Sequence, residues 1–89
     1  MKIVINTCYG GFRIKPEIVK KYGFDNQQLF DYRTDEKLIK LIESGVDCAG
    51  MCSELSVVEI PDEATDYHIT DYDGAESVLY VLNGKIHFL

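Results

Sequence analysis

The chain has 89 residues, 46% of them hydrophobic and 27% charged, and a net charge of −6. That length holds one domain with one core, and that composition excludes wholesale disorder, collagen-like sequence and low-complexity polymer. No apolar run approaches the ~20 residues of a membrane-spanning helix, and the first eleven residues lack the pattern of a secretion signal. A cytoplasmic protein with no membrane partner is therefore expected.

Residues 2–8 read as a strand, dense in the β-branched Ile3, Val4 and Ile5, and Tyr9-Gly10-Gly11 ends it. Pro16 suits the first turn of a helix; Ile14, Ile18, Val19 and Tyr22 fall on one side, and Gly23 supplies the stop. Residues 24–31 (F-D-N-Q-Q-L-F-D) have no clean period and read as a loop or short turn. Thr34 is expected to cap a second helix, with Asp35 and Glu36 in its first turn. Leu38, Ile39, Leu41 and Ile42 form its apolar stripe, and Gly45 closes it. Residues 46–54 read as a loop.

The remainder reads as β. Residues 55–60 form a strand closed by Pro61, and residues 66–72, 76–82 and 85–89 follow, joined at Asp73-Gly74 and Asn83-Gly84. A two-residue turn at Asn83-Gly84 pairs Val81 with Ile86 and Leu79 with Phe88, which puts Tyr80 and His87 opposite one another on the other face. At Asp73-Gly74, a two-residue loop puts His68 and Thr70 beside Leu79 and Val81, whereas a three-residue loop from Tyr72 puts Tyr67 and Ile69 there. Burial favours the three-residue loop. The fold expected is α+β, one domain over residues 1–89: an N-terminal strand, two short helices and a four-stranded antiparallel meander, with the helices on one sheet face. The terminal hairpin is apolar on both faces, and a chain this small covers one face of its sheet, hardly both. A homodimer or a tight heteropartner burying Tyr80, His87 and Leu89 is expected there.

Charge is segregated along the chain. Residues 1–40 hold eight of the nine bases, among them Arg13 and Arg33, while residues 41–89 hold ten of the fifteen acids and only Lys85 as a base. Nine of those acids lie from Asp47 to Glu76, a stretch without Lys or Arg. Such a half repels duplex nucleic acid and attracts a basic protein surface, with Asp62, Glu63 and Asp66 as the expected contacts. The plainer alternative is a solvated acidic face that aids solubility.

Three cysteines, Cys8, Cys48 and Cys52, make an odd count, which argues against a disulfide framework. Cys48 and Cys52 are spaced C-x3-C, and His68 and His87 stand alone, so a four-ligand metal site from these residues is a weak reading beside buried free thiols. Asp71, Asp73 and Glu76 crowd one turn without the spacing of a calcium loop, and a solvated turn is favoured. No metal or cofactor is expected.

Tyr9-Gly10-Gly11-Phe12-Arg13, after a strand and before a helix, has the layout of an anion-binding turn. Backbone amides freed by Gly10 and Gly11 and the positive end of the helix, with Arg13 or Lys15 assisting, would hold a phosphate; the alternative is that two glycines simply turn the chain. Cys8 and Arg13 are one residue too close for a thiolate phosphatase loop, so no catalytic residue is assigned.

Four segments carry a family resemblance. N-T-C-Y-G-G-F (residues 6–12), Y-R-T-D-E-K-L-I with I-E-S-G (32–39 and 42–45), S-E-L-S-V-V-E-I-P-D (53–62) and I-T-D-Y-D-G-A-E (69–76) occur in that order. Over about residues 1–76 the chain resembles a family of short proteins encoded by tailed phages and prophages. The resemblance implies a phage-encoded product in a bacterial host cytoplasm and carries over no catalytic residue. The chain departs at its end, reading S-V-L-Y-V-L-N-G-K-I-H-F-L where the family often has a Trp- and basic-rich tail. The expected function is a non-enzymatic interaction protein that binds and modulates a host or phage protein, such as a defence factor. The alternative is a small-ligand or nucleotide-phosphate binder at the Gly10-Gly11 loop with Arg13 and Arg33, and a third reading is a small enzyme using Cys8.

Overall fold

A strand built on consecutive Ile3, Val4 and Ile5 has no polar residue to turn toward water, so it needs cover on both faces. The computed structural model describes residues 1–24 and 33–89 and shows where that cover comes from. Strand β1 (Lys2–Asn6) pairs antiparallel with β2 (Leu55–Glu59), Val4 opposite Val57, as a two-stranded sheet. On one side of it, Val4, Leu55 and Val57 pack with Ile18 of helix α1 (Pro16–Tyr22) and with Leu38 and Ile39 of helix α2 (Glu36–Glu43). On the other side, Ile3, Ile5 and Val58 pack with Ile60 and with Val78 of a second sheet. That sheet runs β3 (Asp66–Tyr72), β4 (Ala75–Leu82), β5 (Lys85–Phe88), all antiparallel. The chain is thus mixed α+β, with β1 and β2 between the helices and the second sheet.

This corrects the four-stranded meander. β2 leaves the terminal strands and joins β1, because only there do Val57 and Val58 both find apolar neighbours, one on each side. Pro61 and the turn that follows it, closed by the Ala64 amide on the Pro61 carbonyl at 3.1 Å, then carry the chain into β3.

Local signals account for most element ends. Pro16 opens α1 and Gly23, at φ 75°, closes it. α2 is capped by Asp35 rather than Thr34: the Asp35 carboxylate accepts from the Leu38 amide at 2.9 Å. The segment 46–54, expected to be loop, runs beside residues 13–15. The Lys15 amide donates to the Cys48 carbonyl at 2.7 Å and the Gly50 amide to the Arg13 carbonyl at 2.9 Å. The expectation for residues 25–31 falls outside the described residues.

Both hairpin turns are two-residue turns with positive φ at each position, Asp73-Gly74 and Asn83-Gly84, the mirror-image geometry that suits twisted strands. Val81 faces Ile86 and Leu79 faces Phe88, as the second turn requires. At the first turn the expected three-residue loop gives way to Tyr72 opposite Ala75, so Tyr67 meets Tyr80 and Ile69 meets Val78. Burial still decides the register, but the buried side of the sheet is the one bearing Val78 and Tyr80. The side bearing Leu79, Val81, Ile86 and Phe88 faces outward.

Candidate functional site

Among the described residues, a densely connected polar group sits where β1 ends. Asn6 is fully buried, and its side chain makes four bonds. Nδ2 donates to the Cys8 carbonyl (2.6 Å) and the Gly74 carbonyl (2.7 Å), while Oδ1 accepts from the Glu54 amide (2.8 Å) and the Cys8 amide (3.3 Å). The Asn6 amide donates to Glu76 Oε1 at 2.7 Å. Glu76 in turn holds Arg33 by both oxygens, Nη1 to Oε1 and Nη2 to Oε2 (2.6 Å), with each side chain only 6% exposed. Arg33 Nη1 also donates to the Val4 carbonyl at 3.2 Å, and its guanidinium stacks 3.9 Å from the centre of the Phe12 ring. Burying two charges is tolerable here because the fork is bidentate and the carboxylate gains a backbone donor.

The Gly10-Gly11 turn closes over this junction. The Gly10 amide donates to the Asp73 carbonyl at 3.1 Å, and the Ser53 hydroxyl donates to the Gly11 carbonyl at 2.6 Å. A Cβ on Gly74 would lie 2.6 Å from the Gly10 nitrogen, and one on Gly10 would lie 2.6 Å from the Cys52 carbonyl oxygen. These glycines are needed for the close approach of three backbones. Of the four residues expected at an anion site, Gly10 has spent its amide on Asp73, Gly11 is half-buried with its carbonyl on Ser53, Arg33 is buried on Glu76, and Arg13 is exposed. Neither Asn6 nor the Arg33–Glu76 pair is marked in the sequence, and residues from 6–12, 33–39, 53–62 and 69–76 meet here.

The residues expected to bind a partner divide between two sides of the second sheet. Asp62 and Tyr80 share an open groove of about 490 Å³ with Glu59, Ile60, Pro61 and Met1. His87 stacks on Tyr80, ring centres 5.1 Å apart and nearly parallel. Asp62 is 87% exposed and takes the Met1 amine at 2.6 Å, a contact that holds its carboxyl below the usual carboxylate range. Glu63 is exposed beside it. Asp66 lies across from Val81 on the outward side, 3.2 Å from the His68 imidazole, and Leu89 is exposed at the end of the sheet.

Glu76 turns inward to Arg33, while the Asp71 carboxylate accepts from the Gly74 amide at 3.4 Å, so that turn is held by a side-chain bond to its own backbone. Among the described residues no three His, Cys, Asp or Glu side chains converge as metal ligands, and no helix is long and apolar enough to cross a membrane. Cys48 is buried, Cys8 half-buried and Cys52 exposed, all as free thiols. Burial pushes the Cys48 thiol up, and the neighbouring Asp47 carboxylate adds to the effect.

Compared with protein-family models, with curated proteins and with solved structures, the chain finds no match.

Proposed function

We propose that the protein is a non-enzymatic interaction protein that binds a basic segment of another protein in the groove between Glu59, Asp62 and Tyr80. The observation that carries this reading is the groove itself, which is open and lined by the Glu59 carboxylate, by the Asp62 carboxylate with the Met1 amine on it, and by an aromatic ring stacked on His87. Carboxylates attract a Lys or Arg side chain from a distance, and an aromatic ring gives the aliphatic stem of that side chain an apolar wall. The absence of Lys and Arg from Asp47 to Glu76 leaves the surrounding field negative. The resemblance to short tailed-phage proteins supplies a setting: a phage-encoded product meeting a host or phage protein in the bacterial cytoplasm, with modulation of a defence factor as one use.

Capture from a host-cell lysate by the wild type and by the Glu59→Lys/Asp62→Lys/Glu63→Lys variant tests the reading. It expects a stoichiometric partner held by the wild type at low salt and lost with the variant. Equal capture by the two proteins would remove the groove as a binding site.

A further inference from the structure

The three-stranded sheet has one side packed on β1 and β2 and one side bare. Alternation along the strands puts Leu79, Val81, Ile86 and Phe88 on the bare side, with Ile86 62% and Phe88 78% exposed. At the far end of the same side, Tyr72 is 74% exposed, and Tyr9 (64% exposed) meets it edge to face with ring centres 6.5 Å apart. Asp66 is the only acid or base among the strand residues on this side, His68 aside, and His68 Nε2 is 3.2 Å from its carboxylate. A chain with fifteen acids and nine bases thus presents one whole sheet face almost free of charge.

We propose that this face is closed by the same face of a second copy of the chain. Three observations select that occupant. First, the face offers neither a carboxylate cluster nor a base to a charged partner, so what complements it electrostatically is another uncharged face. Second, two copies carrying −6 each repel through most of their surfaces, and here they meet over a face whose one strand carboxylate, Asp66, lies at the start of an edge strand beside His68. Third, the size fits. With an aromatic side chain burying about 150–250 Å², the exposed parts of Phe88, Tyr72, Tyr9 and Ile86 supply on the order of 500 Å² per copy. Leu79, Val81 and their polar neighbours bring that toward the ~800 Å² per partner of a standard interface. Two antiparallel sheets stack face to face about 10 Å apart with their strands roughly 30° from parallel, and a two-fold axis presents the same patch on both sides.

This dimer is independent of the groove reading, because Asp62 and Tyr80 lie on the inward side of the sheet and its border. Salt separates the two: screening weakens binding of a basic segment in the groove, but relieves the repulsion between two acidic copies and tightens the dimer.

Sedimentation equilibrium from low to high micromolar protein, at low and high salt, tests the proposal. The wild type is expected to be a dimer that tightens with salt. Phe88→Asp and Ile86→Asp bury a charge at the interface and should raise the dissociation constant by roughly a hundredfold or more. Both side chains are mostly exposed in one copy, so the far-UV circular dichroism should not change. Phe88→Ser should act in the same direction without a charge, and Lys85→Glu, on the opposite side of the same strand, should leave the dimer intact. A wild type that stays monomeric, a dimer that survives the aspartate variants, or one that loosens with salt would each overturn the proposal.

Discussion

Arg33 and Glu76, 43 residues apart in the chain, close a bidentate ion pair that joins the approach to α2 to the start of β4, the central strand of the second sheet. Removing one partner strands the other charge away from water, at a cost of about 3–5 kcal/mol. Arg33→Ala and Glu76→Ala should therefore each lower the urea midpoint sharply or prevent folding. Glu76→Ala also takes the acceptor from the Asn6 amide. The paired change Arg33→Met/Glu76→Leu should recover a substantial part of the loss, since neither charge is then buried alone. A single alanine variant that unfolds at the wild-type midpoint would show that the pair does not hold the layers together.

The glycines at the two hairpin turns should respond differently to alanine. Both have positive φ, which costs an L-residue roughly 1–2 kcal/mol. At Gly84 nothing lies within 4 Å of an added methyl, so backbone strain is the whole effect. At Gly74 the methyl also drives into the Gly10 backbone, so Gly74→Ala should be the more damaging by at least ~1 kcal/mol. Thermal or urea unfolding of the two variants checks the order. Equal losses would mean that the Gly10-Gly11 turn can move away freely.

Thiol labelling should separate the cysteines. Cys52 is exposed and should react with a thiol reagent at the rate of an open thiol, while buried Cys48 should react only on unfolding. Because the folded pKa of Cys48 is raised, its protonated thiol stabilises the fold fully below the unfolded thiol pKa of about 8.5. That contribution fades as pH rises through the folded value. Stability should thus fall in alkaline solution, and less so in Cys48→Ala after allowance for the lost side chain. Rapid labelling of Cys48 in the folded protein would contradict its placement.

The pattern of what the sequence disclosed has a physical basis. Helices and hairpins are local: Pro16, Gly23, Asp73-Gly74 and Asn83-Gly84 act on their immediate neighbours, so their marks are legible in the chain. The partner of β2 is not local. Val57 and Val58 suit either sheet, and only the need to cover both sides of Ile3, Val4 and Ile5 sends that strand to β1. The bare side of the second sheet was hidden for a related reason. Val78 and Tyr80 are as apolar as Leu79 and Val81, so composition alone does not say which pair turns inward. In the sequence Asn6 is an ordinary residue of the first strand, since a buried amide is recognised only by partners that arrive from Cys8, Glu54 and Gly74. In the groove, Asp62 and Tyr80 are legible as an acid and a hairpin residue, as is His87 stacked beside them, whereas Glu59 enters only through the fold.

Association kinetics of the captured partner give the most direct test of the central claim, that an acidic groove binds a basic protein segment. The on-rate should fall as salt rises, because attraction between the groove and the partner steers encounter. With Glu59→Lys/Asp62→Lys/Glu63→Lys the on-rate at low salt should drop by about tenfold or more, and its dependence on salt should become shallower. On-rates that match between wild type and variant across the salt series, with both proteins folded, would contradict the account and leave the acidic residues as a solubility feature.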